Sequence, residues 1–254
     1  MASILTWMRA FGLDPKKTLS GLRGISRYRR QRRQLRTATR GAVAWGCEIP
    51  ILDEWSESSG HLGAYFHQDL QVARWIYQDQ PARHIDVGSR IDGFIAHLAV
   101  FREVEVIDIR PQPAAHANIV FRQLDLMEEL PDEWSGCTGS LSCLHTIEHF
   151  GLGRYGDTPD PDGHLKGIAQ LQRMVKPGGV FYLSTQVGPE RIEFNAHRVF
   201  APETVLGWFA DGWIIEKCAL IDDKCKLSES TDTRLLSGAD CRTGVGIVAA
   251  RKGR

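Results

Sequence analysis

The stretch from Arg83 to Phe101, RHIDVGSRIDGFIAHLAVF, constrains the fold more than any other part of the chain. His84-Ile85-Asp86-Val87 has the length and apolar content of a short buried strand. Gly88 and Gly93 bracket a tight turn, and Phe94, Ile95, Leu98, Ala99 and Phe101 predict a helix with an apolar face. Strand, glycine turn and helix start make the first half of a nucleotide-binding βαβ unit, in which the backbone passes close to a ligand and the helix N-terminus offers free N–H groups. Taken alone, the glycines serve equally well to end a strand. Val104-Glu105-Val106-Ile107-Asp108 adds a second strand whose closing acid lies 22 residues after Asp86, where a Rossmann-type unit places a carboxylate for ribose hydroxyls. The turn is not G-x-G-x-x-G, because Arg90 stands where the second glycine belongs. It is not a P-loop, because Phe94-Ile95 follow Gly93 where Lys-Ser/Thr is required.

The α/β alternation continues downstream. Asn118-Ile119-Val120-Phe121 reads as a third strand with Asp125 shortly after it, and Ser140-Leu141-Ser142-Cys143-Leu144 as a fourth. Leu165, Ile168, Leu171 and Val175 are spaced 3, 3 and 4, which predicts a helix over 162–175. Lys176-Pro177-Gly178-Gly179 stops it before a fifth strand at 180–187. Strands six and seven fall at 213–220 and 244–250, with 222–243 read as polar loop. The expected fold is α/β, a Rossmann-like seven-stranded sheet with helices on both faces. Asp86, Asp108 and Asp125 stand in or just after three successive strands. Ligands of open α/β sheets sit at the carboxyl ends of strands, so the three acids converge on one crevice. Asp125 also suits a turn or a helix N-cap.

His145-Thr146-Ile147-Glu148-His149 follows strand four directly. As letters it matches the zinc-protease pattern H-x-x-E-H, but that motif belongs on a helix with a further distant ligand, so no metal is expected here. Residues 151–164, GLGRYGDTPDPDGH, hold four Gly, two Pro and three Asp without periodicity. They read as a substrate-binding lid or a plain surface loop. Asp157, Asp160 and Asp162 lack the distal Glu of a calcium loop. Asn195, His197 and Arg198 lie in a polar loop after strand five, near the same crevice. His67 and Asp69 open a lead-in helix closed by Pro81; they either cover a ligand or form a polar helix start.

An acid ending strand one before a short glycine turn, together with the helix–KPGG–strand unit, resembles the class I S-adenosylmethionine (SAM)-dependent methyltransferases. The phrases YFHQDL, HIDVGSRIDGFIAHL, VIDIRP, CLHTIEHFGLGRYGD, DGHLKGI, KPGG and FNAHRVF look more closely like an uncharacterised bacterial branch of that superfamily, a domain of unknown function, over about residues 60–250. The resemblance implies SAM as cofactor. Asp86 and the turn residues Gly88, Ser89 and Gly93 would lie by its amino-acid end, Asp108 at the ribose and Asp125 at the adenine amino group. It also implies an acceptor at the end of strand four: a sugar, sugar-nucleotide or surface-glycan hydroxyl, in polysaccharide biosynthesis. Arg90 departs from the superfamily's glycine pattern.

Transfer to a hydroxyl gains from a general base. His145 is the first choice, His149 the second and His197 the third, since histidine accepts a proton near neutral pH. Glu148 would orient a histidine or bind substrate, and Arg154, Tyr155, Asn195 and Arg198 would grip hydroxyls or a phosphate. The competing reading is a non-catalytic SAM- or nucleotide-binding module in a polysaccharide-biosynthesis complex. Nucleic acid is disfavoured as acceptor, because no N-P-P-Y-type motif follows strand four.

Two further regions bear on organisation. Ile4, Leu5, Trp7, Met8, Phe11 and Leu13 make residues 1–15 mildly amphipathic, and Lys16 to Arg40 contains ten Lys or Arg and no acid. This basic arm, residues 1–40, suits first an anionic membrane surface, then a phosphate-bearing ligand, with nucleic acid third; the alternative is a solvated arm or helix. A methyltransferase-like domain is expected over 41–254, with a lead-in at 41–80 and the core at 81–250. Six cysteines without a C-x-x-C pair, and no signal peptide, suggest reduced thiols in a cytoplasmic protein, peripheral at most to the inner membrane face.

Overall fold

The computed structural model describes residues 3–56, 59, 60, 62–113 and 116–254. By its contacts the chain divides into two units, Met1–His61 and Leu62–Arg254. Residues 41–61 therefore group with the basic arm, a later boundary than the one drawn at residue 40.

In the first unit, α1 (Ile4–Ala10) begins at Ser3, whose hydroxyl accepts from the Thr6 amide. Helix α2 (Pro15–Thr39) has Asp14 as N-cap, accepting from the Lys16 and Lys17 amides, and proline at its first position. It stops at Arg40, which adopts a left-handed conformation. The segment after it runs back along α2. A Cβ on Gly24 would fall 1.7 Å from the Leu52 carbonyl oxygen, so only glycine admits that contact. Tyr28 and Arg32 hold Glu48, and the Arg27 and Arg36 guanidinium groups lie 4.4 and 5.6 Å over Trp55 and Trp45. No helix among the described residues is long and apolar enough to cross a membrane.

The second unit is built on an eight-stranded sheet, β1 (Ile85–Val87), β2 (Val104–Asp108), β3 (Ile119–Gln123), β4 (Thr138–Leu144), β5 (Val175–Val187), β8 (Trp213–Ile221), β9 (Leu227–Ser230) and β10 (Gly244–Lys252). Its spatial order is β3-β2-β1-β4-β5-β10-β8-β9. The first five strands are parallel, and β10 enters antiparallel between β5 and β8. A separate hairpin joins β6 (Arg191–Glu193) to β7 (His197–Val199).

The sheet thus has one strand more than expected. β9 lies in the stretch read as loop; Leu227-Ser228-Glu229-Ser230 carries too little apolar content to announce a strand, and it exists by pairing with β8. The helix expected over 94–101 is shorter: a wide turn, Ile91–Ile95, leads into α4 (Ala96–Ala99).

Alternation along the strands feeds two apolar layers. Ile85, Leu141, Cys143, Phe181 and Leu183 face α5 (Gly163–Met174) and α6 (Pro202–Gly207), joined there by Ile168, Leu171 and Val205. Val104, Val106, Tyr182 and Ile247 face the other way, onto α3 (Ala64–Asp79) and α4 through Val72, Trp75, Ile76 and Leu98. A short α7 (Arg234–Ser237) adds Leu236 to the first layer. After β3 at one edge the chain crosses to β4 on the far side of β1. The crevice between the carboxyl ends of β1 and β4 is therefore the topological switch point, where such sheets bind ligands.

Candidate active site

A cleft opens at that switch point. Its walls come from the residues that end or follow four strands: Val87–Arg90 after β1, Asp108–Arg110 at β2, Leu124–Met127 after β3, and Leu144–Thr146 at β4. Gly88 lets the first of these loops close on the last. It has φ +73°, and a Cβ there would fall 2.2 Å from Thr146 Cγ2.

Eight of the residues expected at the site line this cleft: Gly88, Ser89, Asp108, Asp125, His145, His149, Arg154 and Tyr155. Asp108 ends β2 with both carboxylate oxygens taken by Arg110, whose Nε lies 2.9 Å from Oδ1 and Nη2 2.7 Å from Oδ2. Arg110 also lies 4.4 Å over the Tyr155 ring. Asp125 accepts from the Met127 amide at 2.8 Å, which fixes the turn and sets Leu124, Leu126 and Met127 as an apolar wall.

His145 has φ +49°, a left-handed conformation that costs a non-glycine residue roughly 1–2 kcal/mol. Its amide donates to the Ser184 carbonyl, which ties the turn to β5. Its Nδ1 lies 2.7 Å from Glu148 Oε1, and Thr185 donates to Oε2 of the same carboxylate at 3.1 Å. Glu148 is fully buried. Burial pushes its carboxyl up, but the His145 and His149 imidazoles outweigh this and bring it below the ordinary value. The Glu148 carboxylate accepts from Nδ1 of His145 and so fixes the orientation of the ring. Its Nε2 is buried without a hydrogen-bond partner, and the imidazole and Tyr65 ring centroids are 4.7 Å apart. His149 donates from Nδ1 to the Ala196 carbonyl at 2.7 Å, and burial lowers its pKa.

Six expected residues do not line the cleft. Asp86 is fully buried and accepts from the Ser89 amide, the Ser89 hydroxyl and the Ser142 hydroxyl; it holds the β1 turn from behind. Gly93 packs beside Asp69, where a Cβ would fall 2.9 Å from Oδ2. Glu148 lies behind His145, in contact with its Nδ1. Asn195 is exposed on the hairpin tip, and His197 packs on His149 with ring centroids 6.4 Å apart. Arg198 is buried, its guanidinium taken up by the carbonyls of Phe150, Asp160 and Pro161. It braces the 150–161 loop, because a charged group inside the protein must satisfy its donors locally.

Tyr65, Gln68, Asp69, Phe94, Phe150 and Asp157 complete the lining. Asp69, which the sequence allows as a cover, stands in this wall, and burial raises its carboxyl. Tyr65 and Arg110 stand inside the phrases YFHQDL and VIDIRP, but nothing in their spacing marks them as walls of one cavity.

The course of the chain is similar to solved methyltransferase structures. The 1,6-didemethyltoxoflavin-N1-methyltransferase of Burkholderia thailandensis, solved with its substrate and S-adenosylhomocysteine, aligns over 95% of this chain and 91% of that one, at 15% identity and TM-score 0.51. The [4+2]-cyclase SpnF aligns over 88% and 95%, at 17% identity and TM-score 0.52. A Haemonchus contortus phosphoethanolamine N-methyltransferase, bound to phosphomonomethylethanolamine and S-adenosylhomocysteine, aligns over 79% of this chain and 56% of that chain, at 15% identity and TM-score 0.50.

The fold is the Rossmann-like fold of the methyltransferases. A family described as "Caenorhabditis protein of unknown function, DUF268" matches residues 124–213, from the apolar wall after β3 to the first residue of β8. That description lends no support to a bacterial origin. The chain matches none of the curated proteins by sequence. A cyclase on the same architecture shows that fold alone does not set the reaction.

Proposed function

We propose that residues 62–254 form a SAM-dependent methyltransferase that methylates a hydroxyl of a sugar, sugar nucleotide or surface glycan. The observation that carries this reading is the Glu148–His145 pair: a buried carboxylate fixing an imidazole on the cleft wall, with the second ring nitrogen unpartnered. In a merely structural turn the left-handed backbone of His145 would be an unrewarded cost.

The cleft fits the cofactor. Asp108 ends β2 as an acceptor for ribose hydroxyls, Leu124, Leu126 and Met127 offer a flat apolar wall beside Asp125 for adenine, and the Gly88–Ser89 backbone lines the cleft next to them. SAM, when bound, supplies a methyl group on a sulfonium as the electrophile. The protein's part is to hold an acceptor oxygen in line and to take its proton. Nε2 of His145 accepts that proton, while Glu148 stabilises the resulting imidazolium and holds its orientation. Tyr65 and Phe150 exclude water from the reacting side. Arg154 and Tyr155 border the cleft beside His149 and give an acceptor's hydroxyls or phosphate a charged and an aromatic contact. His149 stands second as base, with Asn195 and His197 behind it on the hairpin. In this reading the protein works in the cytoplasm, and residues 1–40 bring it to the anionic inner face of a membrane.

The test is His145→Asn. Asparagine tolerates the left-handed conformation better than alanine and still donates to Glu148, so the fold and S-adenosylhomocysteine binding should persist. Turnover with a sugar-nucleotide acceptor should fall roughly 10²–10⁴-fold. Full activity in the His145→Asn enzyme would pass the role to His149. No turnover by the wild type across a panel of hydroxyl acceptors, with S-adenosylhomocysteine bound, would favour a non-catalytic binding module.

A further inference from the structure

The first unit builds almost no core. Helix α1 buries none of its residues, and α2 buries Gly24 alone. The 45–55 return segment covers one side of α2 through Gly21, Gly24, Tyr28 and Arg32, which succeed one another at spacings of 3 and 4. The opposite side carries Leu19, Leu22, Arg23, Arg29, Arg30 and Arg33, again at helical spacing. Leu19 and Leu22 are 51% and 59% exposed, and no acid interrupts this stripe. On α1, Ile4, Trp7 and Phe11 form a second exposed stripe, with the Trp7 and Phe11 rings stacked at 6.3 Å.

We infer that this outer stripe of α2, with Trp7 and Phe11 of α1, docks on an anionic lipid surface. The chemistry of the stripe selects that occupant. Arginines on a solvated helix do not need leucines, a tryptophan and a phenylalanine held open beside them. A nucleic-acid backbone uses the charges and leaves the apolar groups in water. A bilayer interface takes both at once, cations at the headgroups and apolar side chains at the acyl boundary. The inference deepens the membrane-side role given to residues 1–40 by naming the face, and it stands apart from the methyl-transfer chemistry.

The experiment is sedimentation of the full chain with vesicles of phosphatidylglycerol and phosphatidylcholine, against phosphatidylcholine alone and against duplex DNA. The wild type should partition to the anionic vesicles only. Arg29→Gln, Arg30→Gln and Arg33→Gln together should weaken partitioning roughly 100-fold, each charge contributing at the surface potential. A control that removes three charges elsewhere, Lys224→Gln, Lys226→Gln and Arg254→Gln, should bind as the wild type does. Trp7→Ser with Phe11→Ser should bind at low salt and release as salt rises, since only the screened charge term is left. Far-ultraviolet circular dichroism checks that α2 is intact in each variant. Undiminished binding by the triple-arginine variant overturns the face assignment while sparing a membrane role for the arm. Failure of the wild type to bind anionic vesicles overturns both. Displacement from vesicles by DNA assigns the stripe to nucleic acid instead.

Discussion

Burial raises the Asp86 carboxyl from 3.8 to about 7, against the opposing pull of the two hydroxyls and one amide that donate to it. A pKa higher in the folded than in the unfolded chain means that the folded state binds the proton more tightly. The stabilisation is then full below the unfolded value and is lost as pH rises through about 7. Unfolding free energy should therefore fall between pH ~4 and ~7.5, by up to ~4 kcal/mol from this group. Asp86→Asn should flatten that slope, as read by urea denaturation across the range; an unchanged slope would remove Asp86 as its source. Asp108 poses a different residue-scale question, because Arg110 already occupies both of its oxygens. Ribose hydroxyls bound there would compete with that guanidinium for the carboxylate's lone pairs. Arg110→Ala should thus tighten S-adenosylhomocysteine binding several-fold by calorimetry, whereas weaker binding would make Arg110 a cofactor contact.

The 150–161 loop owes its course to one buried side chain at the element scale. Arg198, on β7, donates to three of its carbonyls, and Gly151 at φ +74° packs so closely that a Cβ would fall 2.0 Å from the Asp160 carbonyl oxygen. Arg198→Ala leaves those carbonyls without a charged donor and should cost about 1.5–3 kcal/mol. Limited proteolysis should then cut first within 150–161; a cleavage pattern and melting temperature like the wild type's would mean the loop holds without the brace. This arginine also shows where sequence reading stops. A charged residue in a polar loop reads as a hand for substrate, and only the packing of β7 on the loop turns it inward. By contrast, Asp108 and His145 are legible because each directly follows or ends an apolar run, and Asp125 because it stands shortly after one; the topology brings such positions together. α5 is equally legible from the spacing of Leu165, Ile168 and Leu171, and so is the body of β5, although that strand already starts at Val175 and runs through the KPGG expected to precede it. β9 is not, since a strand made by its neighbour leaves no periodicity of its own.

At the scale of the whole molecule, the sheet order fixes where a ligand binds. β1 and β4 part at the switch point, four strand ends deliver acids, a glycine turn and a histidine to one cleft, and both apolar layers reach its wall, one through Val87 and Leu126 and the other through Phe94 and Leu144. On the proposed reading this cleft holds a SAM-type cofactor on Asp108. Titration calorimetry of the full chain with S-adenosylhomocysteine tests it most directly. Saturable binding at one site is expected, weakened by about 1.5–3 kcal/mol in a folded Asp108→Ala variant, the range for hydrogen bonds to a charged group. No heat of binding in the folded wild type, or equal affinity in the variant, would contradict the account.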